Sequence, residues 1–506
     1  MDVWQGLLHG LQQAVQPMML LYCFVGVFIG TLIGVLPGIG AMATISLLLP
    51  VTYHIPTTGA IIMLAGVYYG AQYGGSTASI LLNLPGTPSS AVTCLDGYQM
   101  AKQGRAGVAL FMTTIASFFG SMLGVAVLAG FAPSIAEVGL KFGPAEYFAM
   151  MALGLLAAST LASGSPLKGL AMVVLGLLLG TVGTDVNSGV ARFYFDIPEL
   201  MDGINIVALA MGLFGIAEVV GSVNQPREGH MTQRVRLREM LPSGDDWRRS
   251  WMPMLRGTGV GSFFGALPGT GASIASFMSY ALEKRVARDP TRFGKGAIEG
   301  VVAPEAANNA AAQTAFVPTL SLGIPGDAVM ALMLGALIIH GIQPGPLLMS
   351  DQPDLFWGLI VSFAIGNILL VILNLPLVGM WVAILRIPYH VLYPAILIFI
   401  ALGTYSVNNN VFDIYMVAAI GAVGYVLALL RFEAAPLMLG FVLGPLMEEN
   451  LRRALLLSRG DPAVFLERPI SAGFLLAGLA LFLWSVVGAL RRSLRERERA
   501  AEGSAG

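Results

Sequence analysis

One sixteen-residue stretch occurs twice in this chain. Gly26–Ala41 reads GVFIGTLIGVLPGIGA and Gly257–Ala272 reads GTGVGSFFGALPGTGA, displaced by 231 positions with eight identical residues. In each copy glycine recurs every fourth residue (Gly26, Gly30, Gly34; Gly257, Gly261, Gly265) along an apolar run that stops at Pro-Gly-x-Gly. Small residues at that spacing let helix backbones approach closely in lipid. The break frees N–H and C=O groups that hydrocarbon cannot satisfy, so it is tolerated only where protein or a water-filled cavity covers it. Matching breaks in two halves of one chain point to the binding site of a transporter built from repeats. Pro37, Gly38 and Gly40, with Pro268, Gly269 and Gly271, are therefore expected to form broken-helix backbone.

The solvent is set by composition. Of 506 residues 56% are hydrophobic and 11% charged, with a mean hydropathy of +0.75 and 62 glycines, which excludes a water-soluble domain of this length. The net charge of -1 says nothing about nucleic acid. Cys23 and Cys94 both lie in or beside apolar segments, too few for a metal site or a disulfide framework. The first basic residue is Lys102, so the basic start of a removable signal peptide is missing. The expected fold class is an all-α polytopic membrane protein with two inverted structural repeats, broken (re-entrant) helices, and about 12 spans plus half-helices.

Taken in order, Met18–Pro37 is the first span. Ala41–Tyr53 is too short to cross, since 13 helical residues reach roughly 20 Å against a core of about 30 Å. The segment SILLNLPGTPSSAVTCLDGYQMAKQG (Ser79–Gly104) reads as a broken helix, because Pro85-Gly86 and a string of Asn, Ser and Thr interrupt it. Spans are expected near Val108–Ala132, Ala145–Ala162, Pro166–Val182 and Gly203–Ser222, then near Pro253–Pro268, Leu355–Leu385, His390–Leu402, Val411–Leu430, Ala434–Leu446 and Ile470–Leu490. Short apolar helices are expected at Ser273–Leu282 and Ala328–Ile339. A second Pro-Gly pair, Pro325-Gly326, follows Pro85-Gly86 by 240 positions, nine more than the opening repeat, which places an insertion in the charged loop Glu283–Gly300. The domain reading is a first membrane repeat over 1–223, a basic cytoplasmic linker over 224–252 and a second repeat over 253–450. A loop and extra helix over 451–490 and a cytoplasmic tail over 491–506 complete it.

Loop charge orients the chain. The linker holds Arg227, Arg234, Arg236, Arg238, Arg248 and Arg249, and the tail begins RRSLRER, so both belong inside. Counting back from the linker puts Lys102 and Arg105 inside and VTYHIPTT (Val51–Thr58) outside. In the second half the equivalent of VTYHIPTT is the basic loop Glu283–Gly300, and the equivalent of the Lys102 loop is HGIQPGPLLMSDQPD, without Lys or Arg. The halves are therefore expected to be inverted. Glu448–Pro469 opposes this scheme with Arg452, Arg453, Arg459 and Arg468, offset by four acids.

Enzymatic signatures are absent: there is no HExxH, GxSxG or GxxxxGK[ST], and the GxGxxA at Gly38–Ala43 follows a membrane span rather than a strand. The chain is expected not to be an enzyme and to need no cofactor beyond a coupling cation. The substrate argument rests on polar groups inside apolar sequence. Asn83, Thr87, Ser89 and Ser90 flank the break at Pro85 and Gly86, while Asn308, Asn309, Thr319 and Ser321 surround the one at Pro325 and Gly326. Helix N-termini at such breaks attract anions and the preceding carbonyls hold cations, a combination suited to a carboxylate with a coupled cation. The alternative is that these hydroxyls and amides serve packing. Glu305 and Asp327 are the candidates for ion coupling, with Glu218 and Glu299 as further membrane acids. A channel-like anion permease without a binding protein is the alternative function. It would need a polar stripe along several spans, whereas polarity here gathers at two breaks.

PGTPSSAVTCLDGYQMA, FGKGAIEGVVAPEAANNAAA, LSLGIPG, ALIIHGIQPGP and LGFVLGPLMEENLRRALLLSRGD together resemble the large membrane subunit of the tripartite tricarboxylate transporter family (TctA type), over about Gly26–Asp461. Departures from the family pattern are Gln99, Gln313-Thr314 in a stretch usually of small residues, and Asp327 where a small polar residue is expected. The resemblance implies a multi-pass transporter of the bacterial inner (cytoplasmic) membrane. It implies a small four-helix membrane subunit and a periplasmic solute-binding protein as partners, and import of tricarboxylates or other organic carboxylates driven by a sodium or proton gradient.

Overall fold

The computed structural model describes residues 3–36, 40–139, 141–161, 165–185, 188–222, 237–267, 270–384, 389–484 and 487. The elements run α1 (Val3–Ala14), α2 (Pro17–Val35), α3 (Ala41–Thr52), α4 (Thr57–Leu82), a 3-10 turn (Pro88–Ala91), α5 (Thr93–Lys102), α6 (Ala106–Gly139), α7 (Pro144–Leu161) and α8 (Pro166–Gly180). A two-residue antiparallel pairing of Gly183–Thr184 with Ala191–Arg192 leads to α9 (Ile206–Ala210), a π-helical turn (Met211–Ile216) and α10 (Ala217–Ser222). The order continues α11 (Gly244–Gly265), α12 (Gly271–Val286), α13 (Glu299–Thr314), α14 (Phe316–Leu322), α15 (Ala328–Ile339), α16 (Leu348–Asp351) and α17 (Pro353–Asn374). It ends α18 (Val378–Ile384), α19 (Tyr389–Asn408), α20 (Val411–Leu429), α21 (Ala434–Leu457) and α22 (Val464–Glu467), with a last helix over Pro469–Trp484. Among the described residues four helices are long and apolar enough to cross a membrane: Pro17–Val35, Ala106–Phe131, Pro353–Asn374 and Val411–Leu429. Shorter apolar helices include Ala41–Thr52 and Ala328–Ile339, as expected from their length in the sequence.

The chain divides into two compact units, and each draws on both halves of the sequence. One comprises Met1–Leu140 with Val207–Tyr425, the other Lys141–Ile206 with Val426–Gly506. In the first unit the repeated glycines set the pairing of helices. A Cβ at Gly26, Gly30 or Gly34 of α2 would strike the backbone of Met63, Val67 or Ala71 on α4; one at Gly257, Gly261 or Gly265 of α11 would strike Ala303, Ala307 or Ala311 on α13. The corresponding contacts are offset by 231 residues on one helix and 240 on the other, the two offsets of the sequence repeat. Such contact suits helices in lipid, where van der Waals approach replaces the hydrophobic drive. The helices so gripped lie at the centre: α4 is buried from Gly59 to Leu81 and α13 from Gly300 to Thr314, on every face.

One boundary and one further helix differ from the sequence expectation. Helix α11 starts at Gly244 rather than Pro253, because Ser243 and Asp246 form a reciprocal capping box and Pro253 is accommodated inside the helix. Burial pushes the Asp246 carboxyl up, but hydrogen bonds from Ser243 and from Arg105, at 2.5 Å, outweigh it and hold the group below the ordinary carboxylate range. The amphipathic α1, which was not anticipated, seats Gly6 and Gly10 on Trp357 of α17. Residues 223–236, which take in the first part of the basic linker, and the tail from residue 488 lie outside the described residues.

In the second unit α8 and α21 interlock through reciprocal glycines, with Gly176 against Leu437 and Gly440 against Val173. Three of the four arginines that opposed the charge scheme are paired locally: Arg452 with Asp185 (3.0 Å) and Glu448 (2.6 Å), Arg453 with Glu449 (2.5 Å) and Arg468 with Glu146 (2.5 Å).

Candidate functional site

The first break begins where α4 ends. Asn83 stops the helix in the left-handed conformation (φ 58°), and its side chain is exposed. After Pro85-Gly86 the chain restarts at Thr87, whose side chain and that of Ser90 form a capping box at the 3-10 turn. Ser90 also accepts from Ser79 (3.0 Å) and donates to the Thr87 carbonyl (2.9 Å), so it holds the turn rather than facing outward. Thr87 and Ser89 form a hydroxyl pair 3.0 Å apart, and the Ser89 hydroxyl donates to Gln72 Oε1 at 2.5 Å. All three side chains are buried.

The second break repeats this construction 240 residues on. Gly323 stops α14 in the left-handed conformation (φ 72°), Pro325-Gly326 follows, and Asp327 caps α15 by accepting from the Met330 N–H at 2.9 Å. Asp327 is thus the structural counterpart of Thr87. Tyr68 donates to Asp327 Oδ2 at 2.5 Å, and a Cβ at Gly271, the start of α12, would meet Asp327 Cβ at 2.9 Å. Each of these Pro-Gly pairs also lies against the glycine-repeat helix of its own half, α2 or α11: a Cβ on Gly86 would collide with the Gly34 carbonyl, and one on Gly326 would lie 3.3 Å from that of Gly265. Tyr68 and Gln72 are one turn apart on α4, and they bring the restart points of both halves to one side of that helix.

The polar groups of α13 form a second cluster. Both Glu305 oxygens accept hydrogen bonds, one from Thr93 at the start of α5 and one from Asn308 Nδ2 at 3.2 Å, and the side chain is fully buried. Asn309 Nδ2 reaches Ser117 Oγ of α6 (2.8 Å), the Glu305 carbonyl (3.0 Å) and Asn308 Oδ1 (2.6 Å). No Lys, Arg or His pairs with Glu305 among the described residues.

The proposed substrate residues therefore separate. Thr87 and Ser89 sit together at a restart point with Gln72, and Asp327 sits at the other. Asn308 and Asn309 join Glu305 on the α13 face toward α5 and α6. Thr319 bonds back to the Ala315 carbonyl (2.7 Å), the contact expected of a hydroxyl that serves its own helix. Ser321 is buried with an unpartnered hydroxyl. Gly40 and Gly271 start α3 and α12, while Pro37, Gly38, Pro268 and Gly269 lie outside the described residues. Glu299 pairs with Arg292 (3.1 Å) at the loop end, and Glu218 lies on α10 after the π turn.

Gln72, Tyr68, Thr93 and Asp96 were not singled out from the sequence. Gln72 was detectable as the one amide within the long uncharged run of α4. Asp96 is fully buried: Oδ1 accepts the N–H groups of Gly294 (2.9 Å), Gly296 (2.8 Å) and Ala297 (2.8 Å), and Oδ2 accepts from Tyr280 (2.9 Å). Gly294 and Gly296 have positive φ (80° and 97°), which turns successive N–H groups of the GKGA loop into a nest around the carboxylate. This anchors α5, which follows the first break, to the charged loop of the other half.

The chain is 52% identical over 491 residues to the "Uncharacterized 52.8 kDa protein in TAR-I ttuC' 3'region" of Agrobacterium vitis, covering 97% of this chain and 98% of that protein. It is 56% identical over 231 residues to the "Uncharacterized protein in TAR-II ttuC' 3'region" of the same organism, which is 46% of this chain and 96% of that protein. No solved structure matches. The family described as "Tripartite tricarboxylate transporter TctA family" matches residues 20–439, and the chain therefore belongs to this family of transporter membrane subunits.

Proposed function

We propose that this chain is the large transmembrane subunit of a binding-protein-dependent secondary transporter of the bacterial inner (cytoplasmic) membrane. It imports tricarboxylates or related organic carboxylates by coupling to a sodium or proton gradient. Its partners are a small four-helix membrane subunit and a periplasmic solute-binding protein. The observation that carries the reading is that two broken-helix restart points bond to one side of α4, at Tyr68 and Gln72. A helix start presents free N–H groups and a positive dipole end, and restarts from two repeats are the arrangement that holds a substrate carboxylate. The matched glycine contacts of α2–α4 and α11–α13 support two repeats related by pseudo-symmetry. Gln72 Oε1 now holds the Thr87 and Ser89 hydroxyls where a carboxylate oxygen would take them, so the donors are oriented before the ligand arrives. Glu305 and Asp327 are the acids that would sense the coupling ion.

Uptake through the assembled three-component system tests this. Removing one protein hydroxyl that donates to a charged ligand costs about 1.5–3 kcal/mol, or about a ten- to hundredfold loss of apparent affinity. Thr87→Ala and Ser89→Ala should show that loss at normal membrane levels, and Asn309→Ala should also weaken transport. Thr181→Ala, whose hydroxyl bonds only to its own helix at the Leu178 carbonyl, should not. Equal effects at all four positions would mean that the hydroxyls serve packing.

A further inference from the structure

The hydrogen bonds of the α13 cluster leave specific atoms over. Glu305 takes the Asn308 Nδ2 donor, which orients Asn308 Oδ1 as an acceptor. Asn309 Nδ2 shares its two hydrogens among that oxygen, the Glu305 carbonyl and Ser117 Oγ; the first two can only accept, so the orientation of the amide is fixed and Asn309 Oδ1 has no partner. One turn further on, Gln313 has neither Oε1 nor Nε2 partnered, and both residues are 0% exposed. Buried polar atoms of folded proteins are nearly always partnered, so two neighbouring amides left this way call for a ligand or another explanation. The two amides share the α13 face that meets α6, where a Cβ on Gly124 would lie 3.0 Å from Gln313 Cβ and one on Gly120 would strike Ala306. Ser117 and Ser121 are one turn apart on the facing helix, and both are fully buried. Helices this close leave room only for a small guest.

We infer that Asn309 Oδ1 and Gln313 Oε1, with hydroxyl oxygen from α6, bind a small monovalent cation, sodium in size. The neighbouring Glu305 carboxylate, which has no basic partner, balances its charge. Neutral, hard oxygen ligands suit such an ion, and broken-helix transporters hold coupling ions with carbonyl oxygens. The site lies between α13 and α6, separate from the restart points at Thr87 and Asp327. Use of the ion to drive uptake rests on the transport reading, whereas its binding does not.

The test is thermal unfolding of the purified full chain in detergent without substrate, with choline chloride replaced stepwise by NaCl, KCl or LiCl at constant ionic strength. Sodium should raise the unfolding midpoint saturably, with about tenfold more KCl needed for the same rise. Gln313→Leu should abolish the sodium-dependent rise and Thr181→Ala should keep it. Where Gln313→Leu does not fold, Gln313→Glu keeps the side-chain length and adds a charge, and should lower the half-saturating sodium about tenfold. No saturable rise in the parent protein, or a rise that is unchanged in the Gln313 variants, overturns the site and leaves these atoms to ordered water. Because no substrate is present, failure here leaves the uptake experiment standing, and failure of uptake leaves this one standing.

Discussion

Asp96 should decide whether the charged loop after α12 stays closed. Its carboxylate accepts three backbone N–H groups from Gly294, Gly296 and Ala297 and one hydroxyl from Tyr280. Asp96→Asn keeps an acceptor oxygen for the nest but removes the charge. A bond to a charged group contributes about 1.5–3 kcal/mol and a neutral one about 0.5–1.5, so the change costs about 1 kcal/mol per N–H bond and about 3 kcal/mol for the nest. At 1.4 kcal/mol per tenfold, the open population of the loop rises about a hundredfold. Asp96→Ala should do more, because it orphans all four donors. The loop offers trypsin Arg288, Arg292 and Lys295, so cleavage under native conditions in detergent reports its opening. The expected order of cleavage rates is parent, then Asp96→Asn, then Asp96→Ala, with uncleaved helices elsewhere as internal reference. If Asp96→Asn is cut no faster than the parent, the carboxylate nest does not hold the loop and the argument from charge fails.

Further expectations follow from the repeat and from unit-level contacts. With Cys23 and Cys94 replaced, single cysteines at Thr57 and Ser350 should react with an impermeant thiol reagent added to intact cells, and those at Arg105 and Thr291 should not; labelling of Thr57 and Thr291 from one side would rule out inverted halves. Gly30→Ala places a Cβ 2.5 Å from the Val67 carbonyl and should lower folded yield, since overpacking costs about 1–3 kcal/mol. Gly259→Ala, with nothing within 4 Å, should gain up to about 1 kcal/mol of helix propensity, and equal effects of the two would show that close approach is not what the repeat encodes. Hydrogen bonds from Arg192 hold the Glu448 carboxyl below its ordinary range, with Arg452 adding to this against the opposing effect of burial. The folded-state pKa is depressed, so the contribution is complete above the ordinary carboxylate pKa of about 4.3 and is lost as pH falls through the folded value. The unfolding midpoint of Glu448→Gln should therefore lie below the parent's at pH 7, with the gap closing in acid; a gap constant down to acid pH would show that the ion pair is not its source.

The sequence by itself determined the class, the repeat and the positions of the breaks. Composition excludes a soluble core, and an apolar helix with glycine every fourth residue has one efficient use in lipid, close approach to another backbone. Pro-Gly pairs 240 residues apart stop and restart helices for reasons contained in those residues, so Asn83, Gly323, Thr87 and Asp327 took up matched caps. Which side chains those restarts face is a different matter, because it depends on the rotation of α4 and α13 about their axes. That rotation is set by Gly26–Met63 and Gly257–Ala303 contacts between segments far apart in the chain. Gln72 and Tyr68 reach the restart points only through it, and Asn309 is turned toward Ser117 on α6 by the same packing. Asp96 shows the limit most clearly: nothing near it in sequence marks it, since its four donors come from residues about two hundred positions away, brought together by the fold of the opposite half.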